Sequence, residues 1–271
     1  MSSTGTILDV IAERFDLTTI KREQAVFSCP AADLLDAEKM KRLLELYTPM
    51  VKGKDQSVGE VYMTGWFRGP MLALIYMLSV GKQAVNLSLD NLTIQLFKAS
   101  YNNKEYYRCE FLIRHSELED GPEDQRHYEQ WAQEKMGGFY EYTVRPVLES
   151  IAAVGTLKAG MLWSQLPTSL EYGHELLMKS DASIVAKQRA ERIYGLIKSL
   201  DGERFGRTKN PLDVKFRMTE SMDDPNKQVR MKYACCLYYL VEDGYYCFTC
   251  PRIKESERED RRAECRAAKQ G

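Results

Sequence analysis

The stretch YACCLYYLVEDGYYCFTCP, residues 233–251, sets the chemistry that the rest of the chain has to support. It holds four of the seven cysteines of the sequence, spaced as Cys-Cys, ten residues, Cys, two residues, Cys. These are Cys235, Cys236, Cys247 and Cys250. A Cys-x-x-Cys turn brings two thiolates towards one metal, and Asp243-Gly244 supplies a turn between the two halves. The spacing therefore predicts a metal site.

The spacing alone leaves the identity of the metal open. Adjacent side chains diverge, so Cys235 and Cys236 do not easily reach one tetrahedral zinc ion, whereas two irons bridged by sulfides offer a wider target. This favours an iron–sulfur cluster over structural zinc, with a disulfide or an inert pair as further alternatives. The other cysteines, Cys29, Cys109 and Cys265, are scattered, and the first two lie in apolar strand contexts that predict buried thiols.

The segments on either side of the cysteines predict a small C-terminal module. DVKFRMTE and KQVRMKYA are short strand-like segments around the turn residues Asp224-Pro225-Asn226, so we expect a β-hairpin that carries the cysteines. Residues 252–271 are mostly charged or small, and predict a solvated helix or a disordered end. We therefore expect three parts: a body (1–211), a cluster-binding module (212–252) and a charged tail (253–271).

The body is expected to be mainly helical with a small antiparallel sheet, so that the chain as a whole has an α+β fold. Asp33 or Asp36 is expected to start a helix that Pro49 stops. The segment from Val58 to Val80 predicts one helix or two, bent near Gly69-Pro70. The segments AVNLSLDNLTIQLFKA and YYRCEFLIRH predict a β-hairpin with Asn102-Asn103 as its turn.

Two further helical regions follow in the sequence. Residues 123–154 predict a helix interrupted at Gly137-Gly138. Residues 181–200 predict another helix, with Asp181 as its N-cap.

Composition excludes several classes of protein. Apolar residues make up 44% and charged residues 28% of the 271 residues, which is typical of a globular protein. The 38 Lys and Arg nearly balance the 39 Asp and Glu, so we expect no nucleic-acid partner. The longest apolar stretch, Pro70 to Val80, is far shorter than the roughly 20 residues of a membrane-spanning helix. The N-terminus has no secretory pattern, and a cytoplasmic location is expected.

The cysteine pattern resembles that of the FhuF-type ferric-siderophore reductases, which carry Cys-Cys-x10-Cys-x2-Cys near the C-terminus. Three upstream segments resemble the same family in the same order. They are TGWFRGPMLALIYML, a Trp-containing helix that leads into an apolar stretch; RPVLESIAAVGTLKAGMLWSQ, a helix, a glycine turn and an LW-Ser segment; and KNPLDVKFRM, the lead into the cysteine module. The resemblance covers most of the chain from about residue 60.

The resemblance implies a [2Fe–2S] cluster held by all four cysteines and a one-electron reduction of chelated Fe(III) to Fe(II) that releases iron in the cytosol. The implied partners are a ferric siderophore of hydroxamate, citrate-hydroxamate or catecholate type, and an external electron donor such as a ferredoxin or flavodoxin system. The sequence departs from the family before the cysteine pair, where the family often has Arg and Ser or Thr. Arg230 and Lys232 keep positive charge there, but Ala234 lacks the hydroxyl, which affects the expected potential.

The binding site for the chelate is less well specified. Four cations near the cysteines are candidates, with counter-charge for the cluster as the alternative role: Arg230, Lys232, Arg252 and Lys254. Trp66 and Arg68 lie in a family-like segment and are further candidates to face the chelate, although Trp66 is also a typical core residue. The tyrosines around the cysteines form either an aromatic rim or a shield from water; they are Tyr238, Tyr239, Tyr245 and Tyr246.

Two other functions remain open at this point. In one, the cysteines hold structural zinc in a non-enzymatic protein that binds a siderophore or another iron chelate. In the other, a cluster serves as a redox sensor or as a clip that stabilises a chelate-binding body.

Overall fold

The computed structural model describes residues 6–269 and confirms the α+β fold. The α-helices are α1 (Ile7–Arg14), α2 (Ala37–Met50), α3 (Gln56–Trp66), α4 (Arg68–Tyr76), α5 (Gln125–Gly138), α6 (Arg145–Val154), α7 (Ala159–Trp163), α8 (Pro167–Lys179), α9 (Ile184–Ser199) and α10 (Glu255–Ala268). The strands are β1 (Leu17–Thr18), β2 (Phe27–Pro30), β3 (Gln83–Val85), β4 (Leu92–Tyr101), β5 (Lys104–Ile113), β6 (Leu118–Asp120), β7 (Met218–Glu220) and β8 (Gln228–Arg230). None of the described helices combines the length and the apolar character that crossing a membrane requires.

The predicted hairpin, β4 and β5, forms the centre of the largest sheet. Asn102 and Asn103 connect the strands, with φ of 50° and 60°, as a two-residue turn between right-twisted strands requires. The sheet order is β1-β5-β4-β2, antiparallel except for the short parallel pair β1 and β5. Ile94, Leu96 and Phe111 are fully buried, so one face of this sheet covers the helical core.

The helices around α3 match the predicted helices, with small shifts in where they begin, bend and end. Asp36 caps α2, as one of the two predicted starts, and Pro49 lies inside the last turn rather than ending the helix before it. The expected bend falls at Phe67, between α3 and α4, slightly ahead of Gly69-Pro70. Glycine is required at Gly69 because a Cβ there would lie 2.1 Å from the carbonyl oxygen of Phe15.

Two sequence predictions about helices are wrong in detail. The helix over residues 123–154 is not interrupted at Gly137-Gly138, because a π-helical turn (Phe139–Val144) joins α5 to α6 without a break. Asp181 does not cap α9; the hydroxyl of Ser183 accepts the hydrogen bond from the Ala186 amide instead. Both outcomes depend on local hydrogen bonds that hydrophobic periodicity does not report.

The C-terminal region is built on the predicted hairpin, β7 and β8, which is shorter than expected. The chain then enters the cysteine loop (residues 231–254) and ends in α10. Val58 and Val61 of α3 pack against Leu237 and Val241 of the loop in a small apolar cluster of its own. The cysteine loop is therefore seated on the helical body.

The charged tail forms a helix, which was one of the two predicted alternatives. This helix is not fully exposed to solvent, whereas the sequence had suggested a solvated one. Arg258 and Arg262 of α10 are buried against the cysteine loop and the β7–β8 hairpin.

Glu60 joins α3 to the turn between α6 and α7. Its carboxylate is fully buried and accepts hydrogen bonds from the amide nitrogens of Thr156 and Leu157, at 2.7 and 2.8 Å, and from the Thr156 hydroxyl at 3.0 Å. A buried carboxylate is stable only with such partners. The cysteine loop packs on α3, so Glu60 also stabilises the surface on which that loop lies.

We expect Glu60→Ala to lower the free energy of unfolding by about 3 kcal/mol, because two backbone amides and one hydroxyl lose the buried carboxylate that accepts their hydrogen bonds. Chemical denaturation monitored by circular dichroism measures the change. Glu13→Ala removes an exposed carboxylate and should change the free energy by less than about 0.5 kcal/mol. Equal effects of the two substitutions would contradict the anchoring role.

Candidate metal centre and adjoining cavity

The four cysteines of the loop form two pairs of sulfurs. The inner pair is Cys235 and Cys250, which are both buried and have their Sγ atoms 3.5 Å apart. The outer pair is Cys236 and Cys247, which are half-buried and close enough for the Cys247 side chain to lower the pKa of Cys236. Adjacent residues thus belong to different pairs, as the divergence of neighbouring side chains requires.

The backbone of the loop reverses sharply to make these pairs. Leu237 adopts φ of 57°, which is uncommon for a non-glycine residue, and its buried side chain packs on α3. Asp243 adopts the same φ at the predicted turn. Glycine is needed at Gly244, where a Cβ would lie 1.8 Å from the carbonyl oxygen of Tyr238.

Hydrogen bonds from the body fix the loop between the two Cys-containing segments and at Cys235. The Lys54 amide donates to the Leu240 carbonyl at 2.8 Å, and the Glu242 amide donates to the Lys52 carbonyl at 2.9 Å. At Cys235, the backbone carbonyl accepts a hydrogen bond of 3.2 Å from the side-chain amide of Gln165. The sulfurs are therefore held in place by the body as well as by the loop itself.

The two pairs lie in different electrostatic environments. Burial raises the pKa of Cys235, in the inner pair, to about 11. In the outer pair, the hydrogen bond from Cys247, the Tyr238 amide and the nearby Lys232 ammonium lower the pKa of Cys236 to about 4, against the effect of burial. The same shared proton raises the pKa of Cys247. Within the outer pair, these effects favour a negative charge on the Cys236 sulfur.

Lys232 lies directly beside the outer pair. Its Nζ lies 3.2 Å from Cys236 Sγ, and its backbone amide donates to the Thr249 carbonyl at 2.9 Å. Burial acts to lower the pKa of Lys232, but the attraction of the Cys236 sulfur and hydrogen bonds to both outer sulfurs raise it. Among the four predicted binding cations, Lys232 is placed directly beside the sulfurs.

Helix α10 clasps the cysteine loop through arginine side chains. Arg258 is buried and donates to the carbonyl oxygens of Cys250, at 2.7 Å, and Phe248, at 3.1 Å. Arg261 donates to the Tyr246 carbonyl at 2.7 Å. Three carbonyls around the Cys-x-x-Cys turn therefore depend on the tail, a role that its charged composition did not suggest.

A cavity of about 720 Å³ opens beside the outer pair. Cys236, Cys247 and Lys232 line one side, and residues of α3, α4, α8 and β5 line the others. Trp66 and Arg68, from the segment singled out in the sequence, both reach it. Trp66 is also a core residue, and its ring nitrogen donates to the Tyr47 hydroxyl at 3.1 Å.

The other three predicted cations lie away from the lining of this cavity. Arg230 forms ion pairs with Glu175, at 2.6 Å, and Glu171, at 3.3 Å. Arg252 donates to the Tyr239 hydroxyl, and Lys254 is exposed just before α10. Arg68 and Arg108 line the cavity instead, from segments that are distant from the cysteines in sequence.

The four tyrosines of the cysteine loop that flank its cysteines form two aromatic pairs. Tyr239 and Tyr246 are half-buried and stack with centroids 4.3 Å apart, as a shield would. Tyr238 and Tyr245 are exposed and meet edge to face, and Tyr238 also lines the cavity. Both predicted roles, shield and rim, therefore have candidates.

Of the scattered cysteines, Cys109 is buried, as expected, and borders the cavity. Cys29, which was also expected to be buried, is only half-buried, and so is Cys265. Among the hydrogen bonds of residues 6–269, none joins these three cysteines to a sulfur of the two pairs.

Within residues 6–269, no group of three or more His, Cys, Asp and Glu side chains converges as on a single metal ion. No protein-family model matches the sequence, and no curated protein matches it either. The resemblance of the cysteine segment to the FhuF-type reductases therefore stays a prediction.

We expect Arg258→Met to destabilise the Cys-x-x-Cys turn by about 2 kcal/mol, because the carbonyls of Cys250 and Phe248 lose the buried arginine that donates to them. Hydrogen exchange of the amides in residues 246–253 should become about tenfold faster or more. Arg252→Met, which removes an exposed arginine from the same segment, is the matched control and should leave this exchange nearly unchanged. Equal exchange in the two variants would show that α10 does not clasp the loop.

Proposed function

We propose that the protein is a ferric-siderophore reductase that holds a [2Fe–2S] cluster with Cys235, Cys236, Cys247 and Cys250. The observation that carries the proposal is the arrangement of these thiols in two pairs, one buried and one beside a large cavity. The resemblance of the sequence to the FhuF-type reductases supports the same conclusion.

The pairing fits two irons better than one zinc. Each iron of a [2Fe–2S] cluster takes two thiolates, and two thiolates on one tetrahedral ion with bonds of about 2.3 Å lie about 3.8 Å apart. The inner sulfurs are 3.5 Å apart, close to that separation. A single zinc ion would need all four sulfurs at such distances, whereas Cys235 and Cys236 are directed to different partners.

One electron is sufficient for the release of iron. A siderophore binds Fe(III) through hard oxygen ligands, and the softer, less charged Fe(II) is held far more weakly by the same ligands. A bound [2Fe–2S] cluster would supply this electron from a one-electron couple. The protein then has to bind the chelate close to the sulfurs, and it needs no covalent intermediate.

The residues of the chain divide this work. The inner pair is buried against Val58 and Val61, which keeps water from that side. Lys232 offsets negative charge at the outer pair, where the cavity would bring the chelate. Ala234 also lines the cavity and offers no hydroxyl to the sulfurs, so Lys232 is the side chain that hydrogen-bonds Cys236 from the segment before the cysteines.

The electron donor is a separate protein in this proposal, such as a ferredoxin or flavodoxin, because the sequence has no nucleotide-binding motif for a flavin or nicotinamide. We place the reaction in the cytoplasm, where released Fe(II) is used and where thiols stay reduced.

The test is a single-turnover reduction by anaerobically purified protein. Visible charge-transfer bands should bleach with dithionite and return on addition of a ferric siderophore, with about one Fe(II) formed per reduced cluster. Cys247→Ser should weaken or abolish both the bands and the Fe(II), because one iron loses a ligand. Cys29→Ser, a half-buried cysteine outside the loop, should change neither.

Reduced protein that keeps its spectrum in the presence of hydroxamate, citrate-hydroxamate and catecholate chelates would contradict the reductase function. A colourless protein with zinc would instead support the non-enzymatic, zinc-stabilised alternative.

A further inference from the structure

Arg68 is a partly buried cation without a compensating carboxylate. It begins α4 and lines the cavity, and its Nε is buried without a hydrogen-bond partner among residues 6–269. The groups around it that can bear negative charge are the Cys236 thiol and the hydroxyls of Tyr62 and Tyr47. Burial lowers the pKa of Arg68, because its guanidinium is partly removed from water.

The other charged groups of the cavity are already paired. Lys232 is hydrogen-bonded to Cys236, and Arg108 is held by Asp16 at 2.5 Å. Asp16 is the sole carboxylate among the residues described as lining the cavity, and Arg108 satisfies it. In the described part of the chain, Arg68 therefore contributes a positive charge that no carboxylate offsets.

A partly buried guanidinium with a free donor is stabilised most by an oxygen anion, because the guanidinium presents donors in a fork that matches carboxylate geometry. The walls around Arg68 are aromatic, with Tyr62, Trp66, Tyr107 and Tyr172 among the lining residues. The volume of about 720 Å³ is within the range of sites that take drug-sized ligands. Among the described residues that line it, the cavity thus combines flat apolar walls with one cation, Arg68, that has no carboxylate partner.

We infer that the cavity selects net-negative ferric chelates, which place an outward-facing carboxylate or phenolate oxygen on Arg68. This inference rests on the proposed reductase function and adds the charge class of its substrate. A neutral trihydroxamate complex offers Arg68 no anion and leaves the guanidinium desolvated and unpaired. An anionic chelate meets Arg68 directly, beside the outer sulfur pair.

Arg68 also has an alternative role, as a counter-charge for a cluster at Cys236. In that case its loss would alter the visible spectrum or the potential and would affect all chelates alike. Selective recognition predicts a loss that depends on the charge of the chelate.

Gallium(III) complexes separate binding from reduction, because Ga³⁺ matches the charge of Fe³⁺ and resists one-electron reduction. We would titrate anaerobically purified full-length protein with gallium complexes of a tris-catecholate, a citrate-centred dihydroxamate and a neutral trihydroxamate, and measure the heat of binding. The two anionic complexes should bind about tenfold or more tightly than the neutral one. Their affinities should fall with added salt, while that of the neutral complex should not.

Arg68→Gln should remove this preference by weakening the anionic complexes about tenfold or more and leaving the neutral one unchanged. Arg68→Lys keeps the charge without the fork and should lose less. Arg126→Gln, which removes an exposed arginine outside the cavity, is the control for net charge and should bind as the unaltered protein does. If Arg68→Gln does not fold, the salt dependence of the unaltered protein and Arg68→Lys still decide.

Equal affinities for anionic and neutral complexes, or an equal loss of both in Arg68→Gln, would overturn this inference. If only the carboxylate-bearing or only the catecholate complex shows the preference, that source of the anion is identified. Charge-selective binding of the gallium complexes without reduction of the iron complexes would overturn the proposed function alone. Reduction without charge selectivity would overturn the inference alone.

Discussion

The side chains of two adjacent residues leave the backbone in different directions, and this constraint applies to Cys235 and Cys236. Cys235 turns inward to Cys250, and Cys236 turns outward to Cys247. The loop has to reverse between the two halves to make both contacts, and the left-handed conformation of Leu237 and the close approach at Gly244 accomplish this. The arrangement of the sulfurs in two pairs, rather than around one point, follows from it.

The two pairs give the loop an inner and an outer side. The inner sulfurs lie on the apolar surface of α3, and Arg258 secures the turn behind them. The outer sulfurs meet Lys232 and the cavity, where positive charge is concentrated. An electron carrier that serves a small chelate needs this asymmetry, because one side has to be shielded and the other has to be reached. The cavity and the sulfur pairs are therefore parts of one proposed site.

The sequence predicted the parts of the fold that depend on local rules. The Asn102-Asn103 hairpin, the Asp36 cap and the β7–β8 hairpin follow from turn chemistry and capping within a few residues. The α5–α6 region was not predicted correctly, because a π-helical turn continues the helix at the point where two glycines suggested a break. The helix propensities of single residues do not show whether the backbone hydrogen bonds of a helix can continue through a π-helical turn.

The candidate site was predictable only where its residues are close in sequence. The cysteine spacing located the sulfurs, and charge near them indicated Lys232. Arg108 was missed because β5 brings it to the cavity from more than a hundred residues away. The clasp by Arg258 was missed because a charged tail looks solvated until tertiary contacts bury its arginines. Trp66 and Arg68 were reached through the resemblance of their segment to a known family, and no local pattern marks them.

The central claim is that the two sulfur pairs hold a two-iron cluster, and metal and sulfide analysis of anaerobically purified full-length protein tests it most directly. The account predicts about two iron atoms and about two acid-labile sulfides per chain, with little zinc. About one zinc per chain without iron or sulfide would contradict it, and would mean that the four cysteines rearrange around a single ion.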